Sequence, residues 1–367
     1  MSFSHEYEKI KALDIEEMIG SAGPMRVHRA LAQDRLAVDD FAALLSPAAL
    51  PSLEQMARKA HDITRHHFGN TLQLFTPMYI SNYCTNHCLY CGFNHKVEIA
   101  RQQMSLAEVQ REAEAIAETG LKHILVLTGD DPKRASVTYI AECCRILKDY
   151  FSSIAVEVFA LTTEEYQTLI RSGVDGLTIY QETYNEELYS RIHPRGPKRV
   201  FGFRLEAPER GALAGMRSVG IGALLGLDQW QREFFITALH ARWLEQRFPE
   251  TDFSISLPRM RPHGGSYQPA CTVSDRDMVQ MITALRIFLP RCDITISTRE
   301  SQDFRNNILK LGVTKISAGV TTAVGGHTSG EERVGQFEIS DTRSVDEMTA
   351  CLHQQGLQPV FKDWERC

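Results

Sequence analysis

Long apolar runs are missing from this chain of 367 residues. None approaches the roughly 18 consecutive apolar residues of a membrane-spanning helix, so no membrane partner is expected. Excess positive charge is missing too. Lys and Arg number 40 against 46 Asp and Glu, a net charge of −6, which offers no electrostatic footprint for nucleic acid or an anionic bilayer. The opening stretch, MSFSHEYEKIKALDIEEM, is charged and has no apolar core, so no secretory leader is expected. Cysteine is present, but nine is an odd number and three are clustered. Without an export signal, that argues for reduced thiols in a cytoplasmic protein rather than a disulfide frame. What remains is the balance of a soluble globular chain, 43% apolar and 23% charged, long enough to bury a large core.

Residues 1–70 read as helices, because LDIEEMIGSAG and SLEQMARKAHDITRHHFG carry apolar residues at three- and four-residue spacing and stop at glycine. From about residue 72, short β-rich runs alternate with amphipathic stretches. Eight runs can be counted, at 73–81, 123–129, 154–161, 176–181, 219–226, 253–258, 293–298 and 314–319. Alternation of this kind implies parallel crossovers, and eight strands close a barrel. The expected class is therefore α/β, a (β/α)8 TIM-type barrel over 71–320, with an N-terminal helical extension and a C-terminal loop, helix and tail over 321–367. An open doubly wound sheet is the alternative. The first strand-to-helix loop has no G-x-G-x-x-G, which disfavours a dinucleotide site.

That loop instead holds SNYCTNHCLYCGFN, with Cys84, Cys88 and Cys91 inside eight positions. Structural zinc needs a fourth ligand, which His87 or His95 could supply. A redox pair needs only Cys88 and Cys91 and leaves Cys84 unexplained. A cubane iron–sulfur cluster on three thiolates leaves one iron open to a small molecule, which gives the missing fourth cysteine a purpose. The loop follows the first strand, so it lies at the C-terminal rim where barrel enzymes keep their chemistry. The other six cysteines (Cys143, Cys144, Cys271, Cys292, Cys351 and Cys367) show no ligand spacing and read as small buried hydrophobes.

The pattern C-x3-C-x-aromatic-C resembles the signature of the radical S-adenosylmethionine (SAM) superfamily. Further segments, among them MYISNYC, VEVFAL, YQETY, FRLEAPERG, LPRMRP, STRES and QGLQPVFKDWE, resemble its aromatic amino-acid lyases along almost the whole chain. The likeness is greatest to the tyrosine lyases of thiazole (thiamine) biosynthesis, the 2-iminoacetate synthase type. The resemblance implies a [4Fe–4S] cluster on Cys84, Cys88 and Cys91, SAM on its open iron, and cleavage of the Cα–Cβ bond of L-tyrosine. It also implies thiazole synthase as protein partner and a flavodoxin- or ferredoxin-type electron donor. A second cluster domain like that of the hydrogenase-maturation relative is not expected. The alternatives are a lyase for another aromatic amino acid, such as tryptophan, and a non-catalytic metal-binding scaffold.

Site residues follow by the same resemblance, each beside a plainer reading. Tyr90 would lie against the adenine. Thr128, Gly129 and Asp130 would meet the SAM amino group, or simply cap a helix; the family often has Glu where this chain has Asp130. Glu157, a carboxylate within an apolar run, would point into the cavity or form a structural ion pair. Tyr180 or Gln181, at the fourth strand's end, would face SAM, while Glu182 could cap the next helix. Arg204 would hold the SAM carboxylate or sit on the surface. Arg299, directly after the seventh strand, would clamp the substrate carboxylate as a bidentate guanidinium does. Ser297 and Tyr79 would add substrate contacts, or only fill the barrel. Arg259 and Arg261 would orient substrate or pair with rim carboxylates. The loop over 323–335 reads as a lid, with His327 near the site or structural.

Overall fold

The computed structural model describes residues 2–263, 267–329 and 335–362. Eight parallel strands form a closed ring: β1 (Thr71–Ser81), β2 (His123–Thr128), β3 (Ser153–Glu157), β4 (Gly176–Thr178), β5 (Ser218–Gly222), β6 (Asp252–Ser256), β7 (Asp293–Ile296) and β8 (Lys315–Ser317). They pair in sequence order, and β1 closes the ring by pairing with both β2 and β8. Helices wrap the outside, so runs such as HILVLT in β2 are buried on both faces and read as continuous apolar stretches. Several crossover helices begin at capping boxes, Ser105 with Glu108, Thr162 with Glu165 and Ser274 with Asp277, which satisfy the first free N–H groups after each strand. No helix among the described residues is long and apolar enough to cross a membrane.

Helices at the start of the chain, Phe3–Lys11, Ile15–Gly20, Pro24–Ala32, Val38–Leu44 and Leu53–Phe68, bear out the helical reading there. They share one apolar core with the barrel's outer helices. Phe3 stacks on His240 at 3.5 Å and Phe41 on Phe288 at 4.2 Å. The Gln280 amide donates to the Leu44 and Ser46 carbonyls.

Two departures from the sequence reading bear on the site. The third, fourth and fifth runs are shorter as strands than their apolar stretches, ending at Glu157, Thr178 and Gly222. Beyond them the chain keeps only isolated bridges, Glu182 to Ala223 and Leu225 to Arg259. Ladder pairing stops where the rim opens into a cavity, and Glu182 turns there with a left-handed φ of 70°. A ninth strand, β9 (Gln358–Val360), was not anticipated. It pairs parallel with Thr71–Gln73 at the start of β1, behind the helix Val345–Gln354. The rest of the tail, from 363 and including Cys367, lies outside the described residues, as do 330–334 of the loop read as a lid.

Candidate active site

Residues 82–104 leave β1 as an irregular loop whose backbone is held by side chains. Arg101 donates to four carbonyls, those of Asn82, Phe93, Asn94 and Val97, at 2.7–3.0 Å. Thr85 N–H donates to the Asp130 carbonyl, His87 N–H to Arg195 and Leu89 N–H to Ile192. The loop lies so close to its neighbours that Gly129 and Gly196 are required: a Cβ at Gly129 would come within 2.3 Å of the Tyr83 carbonyl oxygen, and one at Gly196 within 2.2 Å of Asn86 Oδ1.

The result is a cavity at the C-terminal mouth of the barrel onto which Cys84, Cys88 and Cys91 all open. Burial raises all three thiol pKa values, Cys84 to about 12. Naked thiolates are therefore unfavourable here, and a cationic metal centre would offset their burial. Among the described residues no three His, Cys, Asp or Glu side chains converge on one point as a single ion requires. Three thiols lining one cavity suit a polynuclear cluster, in which each thiolate takes a different iron. His87 and His95, the proposed fourth zinc ligands, stack on each other at 5.4 Å and do not line the cavity.

One flank of the cavity carries fixed charges. The Asp130 carboxylate accepts from Asn86 Nδ2 at 2.6 Å. Thr128 Oγ1 is buried without a hydrogen-bond partner among the described residues, beside the cysteines. Lys198 Nζ bonds Glu182 Oε1 at 2.5 Å, and Arg204 donates through Nε to the Tyr180 carbonyl at 2.6 Å. Tyr90 O–H bonds His193 Nε2 at 2.7 Å, while His193 Nδ1 faces the Tyr189 carbonyl at 2.9 Å. A carbonyl can only accept, so Nδ1 carries the proton and Tyr90 is the donor to Nε2. Burial, then Lys198 and Arg204, hold the His193 pKa down to about 2, so the ring stays neutral.

The same cavity is also lined by Tyr79, Glu157, Ser297 and Arg299. Burial, then Glu182, push the Glu157 carboxyl up to about 7, against the pull of Arg299, Lys198 and Arg204. The Arg299 guanidinium lies over the Phe337 ring and has no ion pair among the described residues. Arg259 and Arg261 are different, because both bond the buried Glu300 carboxylate and Arg259 also bonds Asp275. Their structural reading holds.

A profile of the radical SAM superfamily matches residues 78–238, and one of the biotin and thiamin synthesis associated domain matches residues 256–358. The 2-iminoacetate synthase of Escherichia coli (strain K12) is 40% identical over 365 residues, 99% of this chain and 97% of that protein. The chain belongs to the radical SAM 2-iminoacetate synthase family. Its cofactors are accordingly a [4Fe–4S] cluster and SAM. The crystal structure of HydG, a maturase of the [FeFe]-hydrogenase, superposes with a TM-score of 0.85 at 31% identity, over 98% of this chain and 79% of that one. Methylornithine synthase (PylB) shares the fold, with a TM-score of 0.74 at 22% identity over 91% of this chain and 97% of that one. The closed eight-strand barrel expected from the sequence stands.

Within this radical SAM barrel, all but one of the residues expected at the site meet on the one cavity: Tyr79, Cys84, Cys88, Tyr90, Cys91, Thr128, Gly129, Asp130, Glu157, Arg204, Ser297 and Arg299. The exception is Gln181. Its neighbours Tyr180 and Glu182 line the cavity, and alternation along the extended chain turns Gln181 away. Its amide is buried with no hydrogen-bond partner among the described residues. Glu182 does not cap the following helix, since Asn185 does that, and pairs with Lys198 instead. His327 is structural: its N–H bonds Glu112 and its Nε2 faces the Pro77 carbonyl. Sequence reasoning missed Lys198, Gln336 and Phe337. Lys198 sits in a basic run that looks like a solvated face, and the other two lie in a loop with no periodicity.

Proposed function

We propose that this chain cleaves the Cα–Cβ bond of L-tyrosine to 2-iminoacetate and p-cresol, with SAM converted to methionine and 5′-deoxyadenosine. The observation that carries this is an unpaired guanidinium, Arg299, on the cavity that also holds the three cysteines. When bound, the cluster and SAM supply one-electron chemistry and a 5′-deoxyadenosyl radical able to take hydrogen from the substrate amine.

The protein's part is binding and orientation. Cys84, Cys88 and Cys91 hold the cluster. Thr128 and Asp130 would receive the SAM amino group, with Gly129 between them packed against the cysteine loop. Arg204 and Lys198 offer positive charge to the SAM carboxylate, Glu157 accepts from the ribose or amino group, and Tyr90 flanks the adenine. Arg299 would clamp the tyrosine carboxylate, with Ser297 and Tyr79 beside it, and so fix which part of the substrate is presented to the cofactor. Positioning of this kind selects the bond that breaks. The side-chain fragment needs one electron and one proton to become p-cresol, which a flavodoxin- or ferredoxin-type donor and solvent can provide. The imine hydrolyses readily in water, so direct transfer to a partner such as thiazole synthase is expected, in the cytoplasm.

The test is anaerobic reconstitution, then incubation with SAM, dithionite and tyrosine. Deoxyadenosine with p-cresol is the expected result. Deoxyadenosine formed with tryptophan and not with tyrosine would reassign the substrate. Neither product from a preparation with its cluster intact would overturn the reading.

A further inference from the structure

The loop after β8 meets the cysteine loop at Gln336. Gln336 Nε2 lies 3.6 Å from Cys91 Sγ, and Gln336 Oε1 accepts from the Tyr79 hydroxyl at 2.9 Å. The contact is tight: a Cβ on Gly92 would come within 2.4 Å of the Gln336 carbonyl oxygen. Cys91 Sγ also receives the Phe93 N–H at 3.4 Å. Tyr79 is itself pinned, buried and edge-on to Phe93 at 5.8 Å.

We infer that Gln336 is a positioning residue that sets the reduction potential of the cluster through an N–H···S bond to Cys91, with its amide oriented by Tyr79. This rests on the reading of Cys91 as a cluster ligand. A cluster thiolate is an acceptor only, so the amide must present nitrogen to sulfur and oxygen to the tyrosine hydroxyl. The reduced cluster carries one more negative charge than the oxidised one. A donor at the sulfur therefore stabilises the reduced state more, and raises the potential. Tyr79 lines the cavity together with Arg299, so the relay Tyr79–Gln336–Cys91 joins that lining to the cluster ligand.

The experiment compares full-length wild type, Gln336→Leu, Gln336→Glu, Tyr79→Phe and the Tyr79→Phe/Gln336→Leu double variant. All are reconstituted anaerobically, assayed for iron and sulfide, and titrated redox-wise with the reduced cluster followed by electron paramagnetic resonance, without substrate. Gln336→Leu should lower the reduced-to-oxidised ratio at the wild-type midpoint roughly tenfold, the effect of one hydrogen bond to a charged group and equal to about 59 mV for one electron. Gln336→Glu keeps the acceptor for Tyr79 but loses the donor, and should shift at least as far. Tyr79→Phe frees the amide to turn and should shift the same way by a smaller factor. The double variant should match Gln336→Leu alone. Unchanged midpoints in variants with full clusters would overturn the inference. Should both Gln336 variants fail to assemble a cluster, an unshifted Tyr79→Phe would do the same. A wild type that cannot assemble a cluster would instead sink the cluster reading itself.

Discussion

Arg299 rests its guanidinium 3.4 Å from the centroid of the Phe337 ring and touches no carboxylate among the described residues. The aromatic face holds the charge in place without neutralising it. Arg259 and Arg261, which follow the adjacent strand β6, are both committed to Glu300. An oriented, unpaired guanidinium is what an incoming carboxylate needs. Arg299→Lys keeps the charge but loses the planar fork, and should lower kcat/KM for tyrosine by roughly 100-fold, mostly through KM. Steady-state p-cresol formation against tyrosine concentration checks this, and an unchanged KM would remove Arg299 from substrate binding.

Glu157 has a pH consequence that needs no cofactor. Its folded pKa is pushed up to about 7 from the usual 4.5, so the folded protein binds the extra proton between those values. The associated stability is fully present below 4.5 and is lost as pH rises through 7. Glu157→Gln removes the ionisable group. The apo variant should therefore match wild type at low pH and gain over it above neutrality, by on the order of 3 kcal/mol. Thermal unfolding of both proteins across pH measures the difference directly; parallel curves would mean that Glu157 is not strained by burial.

Lys198 and Glu182 form a nearly buried pair, with side chains 11% and 9% exposed. Burial and Arg204 push the Lys198 ammonium towards neutrality, yet Glu182, with Cys88 and Asp130, outweighs them and holds its pKa above the ordinary lysine value. Lys198→Met leaves the Glu182 carboxylate with only Arg204, 3.8 Å away. The loss should be about 3 kcal/mol, and Lys198→Met/Glu182→Gln should regain most of it. Denaturant unfolding of the four proteins of this cycle reads the coupling, and additive losses would show that the pair is not a unit.

Gly196 takes a φ of 101°, and a Cβ built on it would fall 2.2 Å from Asn86 Oδ1 and 2.6 Å from Asn86 Cα. Gly196→Ala adds both backbone strain and a clash beneath the cysteine loop. It should cost at least about 2 kcal/mol and reduce iron retention after reconstitution. Gly202→Ala, where nothing lies within 4 Å of a Cβ, is the control. Equal iron content in the two variants would show that the cysteine loop tolerates displacement.

Much of this was legible in the sequence, and some was not, for identifiable reasons. Periodicity exposed the barrel strands because buried parallel strands must be apolar. It overran β3, β4 and β5 because residues such as Phe159, Ile179 and Leu224 stay buried after the ladder ends. It missed β9, whose three residues, QPV, pair only with the start of β1 and carry no pattern of their own. Gln181 and Glu182 are neighbours at a strand's end; alternation puts them on opposite sides, and only the closed barrel shows which side is the cavity.

The sequence by itself determined the α/β alternation, the helical start, the cysteine spacing and the family. Each is a local property: periodicity reports which face is buried, and ligand spacing reports the chemistry a loop can hold. Only the tertiary structure decided that Arg299 is free while Arg259 and Arg261 are not, that Lys198 is buried against Glu182, and that Gln336 reaches Cys91. Those relationships join residues on different strands and loops. Closing the barrel brings such residues together, and no local pattern records which charges then find partners.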